Sequence, residues 1–200
     1  LYLMNYTFKN IGISGVAGSG KNTLAEIIIK FLERMDIPCQ ELSIANNLKK
    51  ELSTASKKLY GIDSYSCSRE EKDIIRPFLV AHGEIKRKLS QGKHWTNLLT
   101  KELDNKKVNI ITDVRYSEYK DDEVDWLKNE VNGVLIHLSR YSSNYNERTY
   151  IKALNQSEKK NDPIMRDKAD FALSWDTYNE SSKRVASTQK LLKWIKRLYV

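Results

Sequence analysis

Two cysteines in 200 residues, Cys39 and Cys67, stand far apart with no C-x-x-C or Cys/His ligand spacing. That scarcity excludes a disulfide framework and a zinc site, and it leads us to expect a reduced, cytoplasmic protein with two inert thiols. Proline is nearly absent, with three residues, and no repeat or low-complexity tract interrupts the chain. No apolar run approaches the ~18 residues of a membrane span, and Ile27 to Leu32 is broken by Lys30. Leu1 to Phe8 lacks a basic segment followed by an apolar run, so no targeting signal is expected. Leu1 is no initiator, and the native start is expected at Met4.

What is abundant is charge. The net charge of +8 and pI of about 9.3 suit polyanionic ligands, nucleotides and nucleic acid alike. The lysines and arginines form no block of five or six, which favours a solvated basic surface over a nucleic-acid patch.

Apolar runs bounded by turn residues predict strands at Ile11 to Ser14, Cys39 to Ile44, Val108 to Val114, Val134 to Leu138 and Phe171 to Trp175. Three- and four-residue apolar spacing predicts helices at Lys21 to Met35, Asn47 to Tyr60, Arg69 to Ser90, His94 to Leu103, Ser117 to Glu130 and Ser182 to Val200. Alternation of the two implies an α/β domain, a parallel sheet of about five strands covered on both faces. A chain of this size is expected to form one domain, burying roughly 70% of its unfolded surface. The polar stretch Tyr141 to Asp167 has weak periodicity and is expected to be mobile. The basic amphipathic terminal helix is expected to dock on the sheet, with no membrane role.

Gly15-Val16-Ala17-Gly18-Ser19-Gly20-Lys21 matches G-x-x-x-x-G-K after a predicted strand and before a predicted helix. Such a loop curls so that its backbone N–H groups point at phosphate oxygens, and the following helix adds its partial positive N-terminus. Lys21 is then placed to reach the β- and γ-phosphates of ATP. The next residue is Asn22, with the hydroxyl one place later at Thr23. GTPases and motor ATPases usually carry Ser or Thr directly after the lysine, so Gly-Lys-x-Thr is similar instead to adenylate kinase and its relatives. That likeness implies a phosphate contact for the hydroxyl and a Mg²⁺ held largely through water.

Asp113-Val114-Arg115 ends the third predicted strand, where a carboxylate lies beside the P-loop crevice and can orient Mg²⁺ or its waters. Arg115 can reach phosphate oxygens with its fork of donors; the alternative is a helix cap and its salt-bridge partner. Along Lys72 to Lys88, Lys72, Arg76, Gly83 and Arg87 fall within about 60° on a helical wheel, while Ile75, Phe78, His82, Ile85 and Leu89 take another face. One face packs and the other is cationic, either solvated or turned to a ligand that Gly83 would let approach. Pro77 is expected to kink or restart this helix near Arg76.

In their order along the chain, Gly15 to Thr23, Ala45-Asn46-Asn47-Leu48-Lys49, Arg76 with His82-Gly83-Glu84-Ile85-Lys86-Arg87, Trp95, Asp113-Val114-Arg115 with Glu118, and Gln156-Ser157-Glu158 resemble the bacteriophage-type deoxynucleoside monophosphate kinases. Animal-type phosphomevalonate kinases share much of that order. The resemblance runs from Ile11 to about Thr177 and implies a P-loop NTPase fold with an acceptor-binding helical region at 44–105 and a lid-like segment at 141–167. It implies that Lys49, Lys72, Arg76, Gly83, Arg87 and Trp95 bind the acceptor, and that Gly15 to Thr23, with Ala17, Gly18, Ser19 and Asn22, bind ATP together with Asp176 and Thr177. Arg115 would sit near the transferred phosphoryl, and Thr23 and Asp113 would hold Mg²⁺. Arg140, Arg148 and Arg166 lie in or beside the lid-like segment, and Arg140 joins Lys21, Asp113 and Arg115 as the expected catalytic set.

The expected activity is transfer of the γ-phosphoryl group of ATP to a (deoxy)nucleoside monophosphate. An anionic acceptor needs no general base, which fits the lack of a catalytic His or Cys constellation. A phosphomevalonate-type kinase and a nucleic-acid-associated NTPase are the rivals. Tyr60, Tyr65, Phe78 and Trp95 are placed to stack on a base, or else belong to the core. No stable nucleic-acid or membrane partner is expected, and a homodimer is compatible with the reading.

Overall fold

A computed structural model describes residues 6–144, 147–176 and 181–200. The order is β1 (Asn10–Ser14), α1 (Lys21–Glu33), β2 (Cys39–Ser43), α2 (Ile44–Tyr60), α3 (Arg69–Ser90), α4 (Lys93–Thr100), β3 (Val108–Thr112), the one-turn α5 (Glu123–Asp125) running into a π-helical turn, β4 (Gly133–Asn144), β5 (Glu147–Tyr150), α6 (Gln156–Asp167), β6 (Phe171–Asp176) and α7 (Ser181–Tyr199). Strands β2, β3, β1, β4 and β6 lie side by side and parallel. The five-stranded parallel sheet expected from the alternation is therefore present, with a correction: a sixth strand, β5, runs antiparallel to the far end of β4. Tyr141 pairs with Asp176 of β6 and with Tyr150 of β5, so β5 takes the flank of β4 that β1 leaves free after Ser14. The outer half of β4 is polar, and an apolar-run criterion stops at Leu138.

Period-two alternation sends successive strand residues to opposite layers. Ile110, Val134 and Ile136 pack with Leu24, Ile28, Leu191 and Ile195 of α1 and α7, whereas Ile111 and Leu135 pack with Leu99, Val124 and Leu127 on the other face. Each such buried aliphatic side chain contributes roughly 1.5–3 kcal/mol. The terminal helix docks on the sheet as its apolar stripe requires. No described helix is long and apolar enough to cross a membrane.

Helix α3 is continuous across Pro77, contrary to the expected restart. Pro77 is exposed, where a helix absorbs a missing N–H with least cost, and the N-terminus is fixed by a capping box between Ser68 and Glu71. The helix expected at Ser117 to Glu130 begins only at Glu123. Asp122 explains the delay: its carboxylate accepts from the N–H groups of Glu118, Tyr119 and Glu123, so residues 116–122 wrap around one buried acid and cannot coil.

Helices α2, α3 and α4 meet at Glu51, which accepts from Lys86 Nζ at 2.7 Å and lies 3.0 Å from His82 Nε2 and 2.8 Å from His94 Nε2. His82 is thus part of this clamp, beside Trp95. Burial alone would raise the Glu51 pKa, but the three donors hold it down at about 2. With the folded value below the ordinary 4.5, the stabilisation is complete above 4.5 and fades as pH falls toward 2. Glu51→Gln should therefore melt below wild type at pH 7, and thermal scans should show the gap closing between pH 4.5 and 2; a gap independent of pH would contradict this.

Candidate active site

Strand β1 ends at Ser14 and the chain turns through Gly15, Gly18 and Gly20, all at positive φ (140°, 79° and 98°). At two of them space also forbids a side chain: a Cβ on Gly15 would lie 2.5 Å from the Leu138 carbonyl oxygen, and one on Gly20 would lie 2.7 Å from the Trp175 ring. Trp175 braces the loop from below, donating its indole N–H to the Ser19 carbonyl at 2.8 Å. Ser19 Oγ is buried with no partner, an orphan hydroxyl within the loop. A curled, backbone-lined cradle with an unpaired donor is what a phosphate fits, so the residues present suit ATP.

Lys21 opens α1 beneath the loop and is nearly fully buried, its ammonium donating to the carbonyls of Gly15 (2.9 Å) and Val16 (3.1 Å) and lying 3.4 Å from Asp113. Burial lowers its pKa to about 8 against the pull of Asp113. Asp113 follows β3 with φ of 65°, a left-handed backbone uncommon for a residue with a side chain and concentrated at functional sites. Its carboxylate accepts from Ser43 Oγ (3.1 Å) and from Arg115 (2.8 Å). Burial works to raise the Asp113 pKa, but the charges of Arg115 and Lys21 prevail and hold it well below the usual carboxylate range.

The loop opens onto a cleft of about 650 Å³ walled by α2, α3, Trp95 and the Asp113–Tyr116 segment. Ala17, Gly18, Gly20, Lys21, Asn22 and Thr23 line it together with Lys49, Lys72, Arg76, Gly83, Trp95 and Arg115, and Lys72 lies near enough to Lys21, Asp113 and Arg115 for their charges to act on one another. Among the cleft residues not singled out from the sequence are Arg69, which shares the helical spacing of Lys72 and Arg76 but opens α3 ahead of the Lys72 to Lys88 stretch, and Tyr116, which follows the noted Asp-Val-Arg run. Lys72 is partly buried, and burial with the neighbouring Lys49 charge lowers its pKa. Arg76 is paired with Asp73 one turn back. Arg140 reaches the other side of the loop and donates to the Gly18 carbonyl at 2.6 Å.

Arg87 also lines the cleft. It follows the same helical face, but its guanidinium is enclosed by carboxylates: Asp122 accepts two hydrogen bonds (3.0 and 2.8 Å), with Glu118 at 3.4 Å and Glu123 at 3.5 Å. Tyr116 stacks on it, 3.6 Å from ring centroid to guanidinium carbon. Its charge is engaged by the carboxylates of the 116–123 segment. The expected aromatic slot is also reduced. Tyr60 and Phe78 pack edge to face on each other, Tyr60 and Tyr65 are exposed, and of the four only Trp95 lines the cleft. Asp176 ends β6 outside the cleft lining, and Arg166 is exposed on α6. Thr177 and the side chain of Arg148 lie outside the described residues.

For Mg²⁺ the carboxylate beside the loop lysine is Asp113, bonded to the Ser43 hydroxyl; Thr23 and the carboxylates of Glu41, Glu84, Glu123 and Glu158 also line the cleft. Among the described residues no group of three acidic, histidine or cysteine side chains could cage a metal. A site without such a cage fits an ion that keeps most of its waters and binds through substrate phosphates.

No family model matches the chain, and no curated relative matches it. Among solved structures, a gluconokinase from Sinorhizobium meliloti 1021 aligns over 96% of this chain and 95% of its own, with 14% identity and TM-score 0.44. A provisionally assigned kinase from Chloroflexus aurantiacus j-10-fl covers 97% and 100% at 10% identity and TM-score 0.43, and the protein APE1195 covers 99% of each chain at 14% and 0.43. Scores this low mark a distant likeness in chain path alone; the chemistry of the site is carried by its own residues.

Proposed function

We propose that the protein is an ATP-dependent kinase that transfers the γ-phosphoryl group to the phosphate of a (deoxy)nucleoside monophosphate, giving the diphosphate. The observation that carries this reading is the cleft's cationic lining: the loop with Lys21, the Arg115–Asp113 pair, and Lys49, Lys72 and Arg76 all face one cavity. A neutral alcohol acceptor would need a base and few cations; an anionic acceptor needs cations and no base. In this mechanism the loop amides and Lys21 hold the β- and γ-phosphates, Lys72 and Arg76 fix the acceptor phosphate in line, and Arg115 neutralises the charge that develops between them. Arg140 closes over the loop and helps exclude water. Asp113 and Thr23 would hold Mg²⁺, which would supply further charge neutralisation.

A nucleotide acceptor is supported by the resemblance of the Lys49, Arg76 and Gly83 segments and by Trp95 and Tyr116 in the cleft wall. A second reading, a phosphomevalonate-type acceptor, gains from one observation: Tyr60, Tyr65 and Phe78 lie off the cleft, which leaves a narrower surface for a base. Neither acceptor calls for a nucleic-acid partner. Arg76→Ala should raise the acceptor KM roughly tenfold or more, since a charged hydrogen bond contributes about 1.5–3 kcal/mol. ATP affinity should change little, and steady-state kinetics with each substrate varied separates the two; collapse of ATP binding instead would sink the acceptor assignment.

A further inference from the structure

Glu158 stands on the first turn of α6, 5% exposed, with its backbone N–H bound by the capping side chain of Asn155. One carboxylate oxygen accepts from the Ala17 N–H at 3.3 Å, and the other is paired with Arg115. Both donors belong to the phosphate machinery described above. A carboxylate oxygen and a phosphate oxygen ask for the same partners, an inward-pointing loop amide and a planar guanidinium.

We propose that Glu158 is a positioning residue that stands in for a phosphate oxygen: it holds the Ala17 amide and Arg115 until nucleotide phosphate displaces it. The inference rests on the reading of the cleft as an ATP site. In the structure the phosphate-seeking groups are closed onto internal acceptors, Lys21 onto Asp113 and the loop carbonyls, Arg115 onto Asp113 and Glu158. The exchange needs no movement of α6. That helix is fixed independently by Asp162, which lies 2.9 Å from buried His137 and accepts from Tyr150, and by Asn161, which donates to Glu118 at 3.2 Å. Rotation of the Glu158 side chain is enough to open the cradle and free Arg115 for the incoming phosphates. The expense of that rotation, with the repulsion between carboxylate and phosphate, weakens nucleotide binding and keeps Arg115 parked when no nucleotide is present.

The test is calorimetric titration of the full chain with MgATP and, separately, with inorganic tripolyphosphate, using wild type, Glu158→Gln and Glu158→Asp. Glu158→Gln keeps the shape and removes the charge, and should bind both probes about tenfold tighter, with a lower KM for ATP and no gain in kcat. Glu158→Asp keeps the charge but withdraws it by one carbon from the Ala17 amide; it should gain affinity in part, and it carries the test should the glutamine variant fail to fold. A residue with a merely structural role would weaken binding in both variants. If wild type binds and neither variant gains affinity, the displacement proposal is overturned while the ATP site stands. If no protein of the three binds either probe, both readings fall.

Discussion

Lys21→Ala is expected to cut kcat by about 10²-fold or more while leaving the unfolding temperature unchanged or slightly raised. The loss follows from the place of the ammonium, under the loop and against Asp113, where the proposed mechanism has it neutralise the phosphates in transfer. The stability result follows from its burial. The folded pKa of about 8 lies below the ordinary 10.5, so between those values the unfolded chain binds more protons and stability rises with pH. At pH 7 the folded protein carries the whole cost of a buried charged lysine. Removing the side chain removes that cost, and Asp113 keeps Arg115 and Ser43 as partners. Turnover and thermal unfolding measured on one preparation decide the matter: normal turnover would remove the P-loop mechanism, and a large fall in melting temperature would show that Lys21 holds the fold.

Arg87→Ala should act in the opposite way, on stability first. The substitution strands the buried carboxylates of Asp122 and Glu123 and the half-buried one of Glu118. Breaking a buried ion pair from one side costs about 3–5 kcal/mol. For a chain of this length that is a fall in melting temperature of roughly 6–20 °C. Its pH dependence is a second signature. Burial pushes the Glu123 pKa up to about 7 even with Arg87 pulling it down. A raised carboxyl pKa means that the folded state binds the extra proton, so stability falls as pH rises from the ordinary value through the folded one. Without Arg87 the folded value climbs further, and the variant's deficit should be larger at pH 8 than at pH 6. An unchanged melting temperature with only a higher acceptor KM would assign Arg87 to the substrate.

The contrast between Arg76 and Arg87 shows where sequence reading stopped. Both follow one helical face, and a wheel places them together. Whether a cation faces ligand or carboxylate depends on what a loop more than thirty residues away brings to it, here Asp122, whose partners no local pattern encodes. The phosphate loop was legible because its backbone demand is local: Gly15, Gly18 and Gly20 all take positive φ within six residues, whereas the crowding by Leu138 and Trp175 comes from the fold. The inner strands β1 and β3 were legible because burial on both faces makes them largely apolar runs, and β6 by its alternating exposure. The β4 extension and β5 were missed because polar strands at a sheet margin lack that signature. Glu158 was noted in Gln156-Ser157-Glu158, but its reach to Ala17 and Arg115 needed the fold.

The central claim is γ-phosphoryl transfer to a nucleoside monophosphate. The most direct test is an assay with γ-labelled ATP and Mg²⁺ against each ribo- and deoxynucleoside monophosphate, with phosphomevalonate and gluconate alongside, following the label into product. A labelled nucleoside diphosphate is expected from at least one monophosphate, with no label passing to gluconate. Label passing to phosphomevalonate or gluconate, with no nucleoside monophosphate accepting it, would contradict the claim.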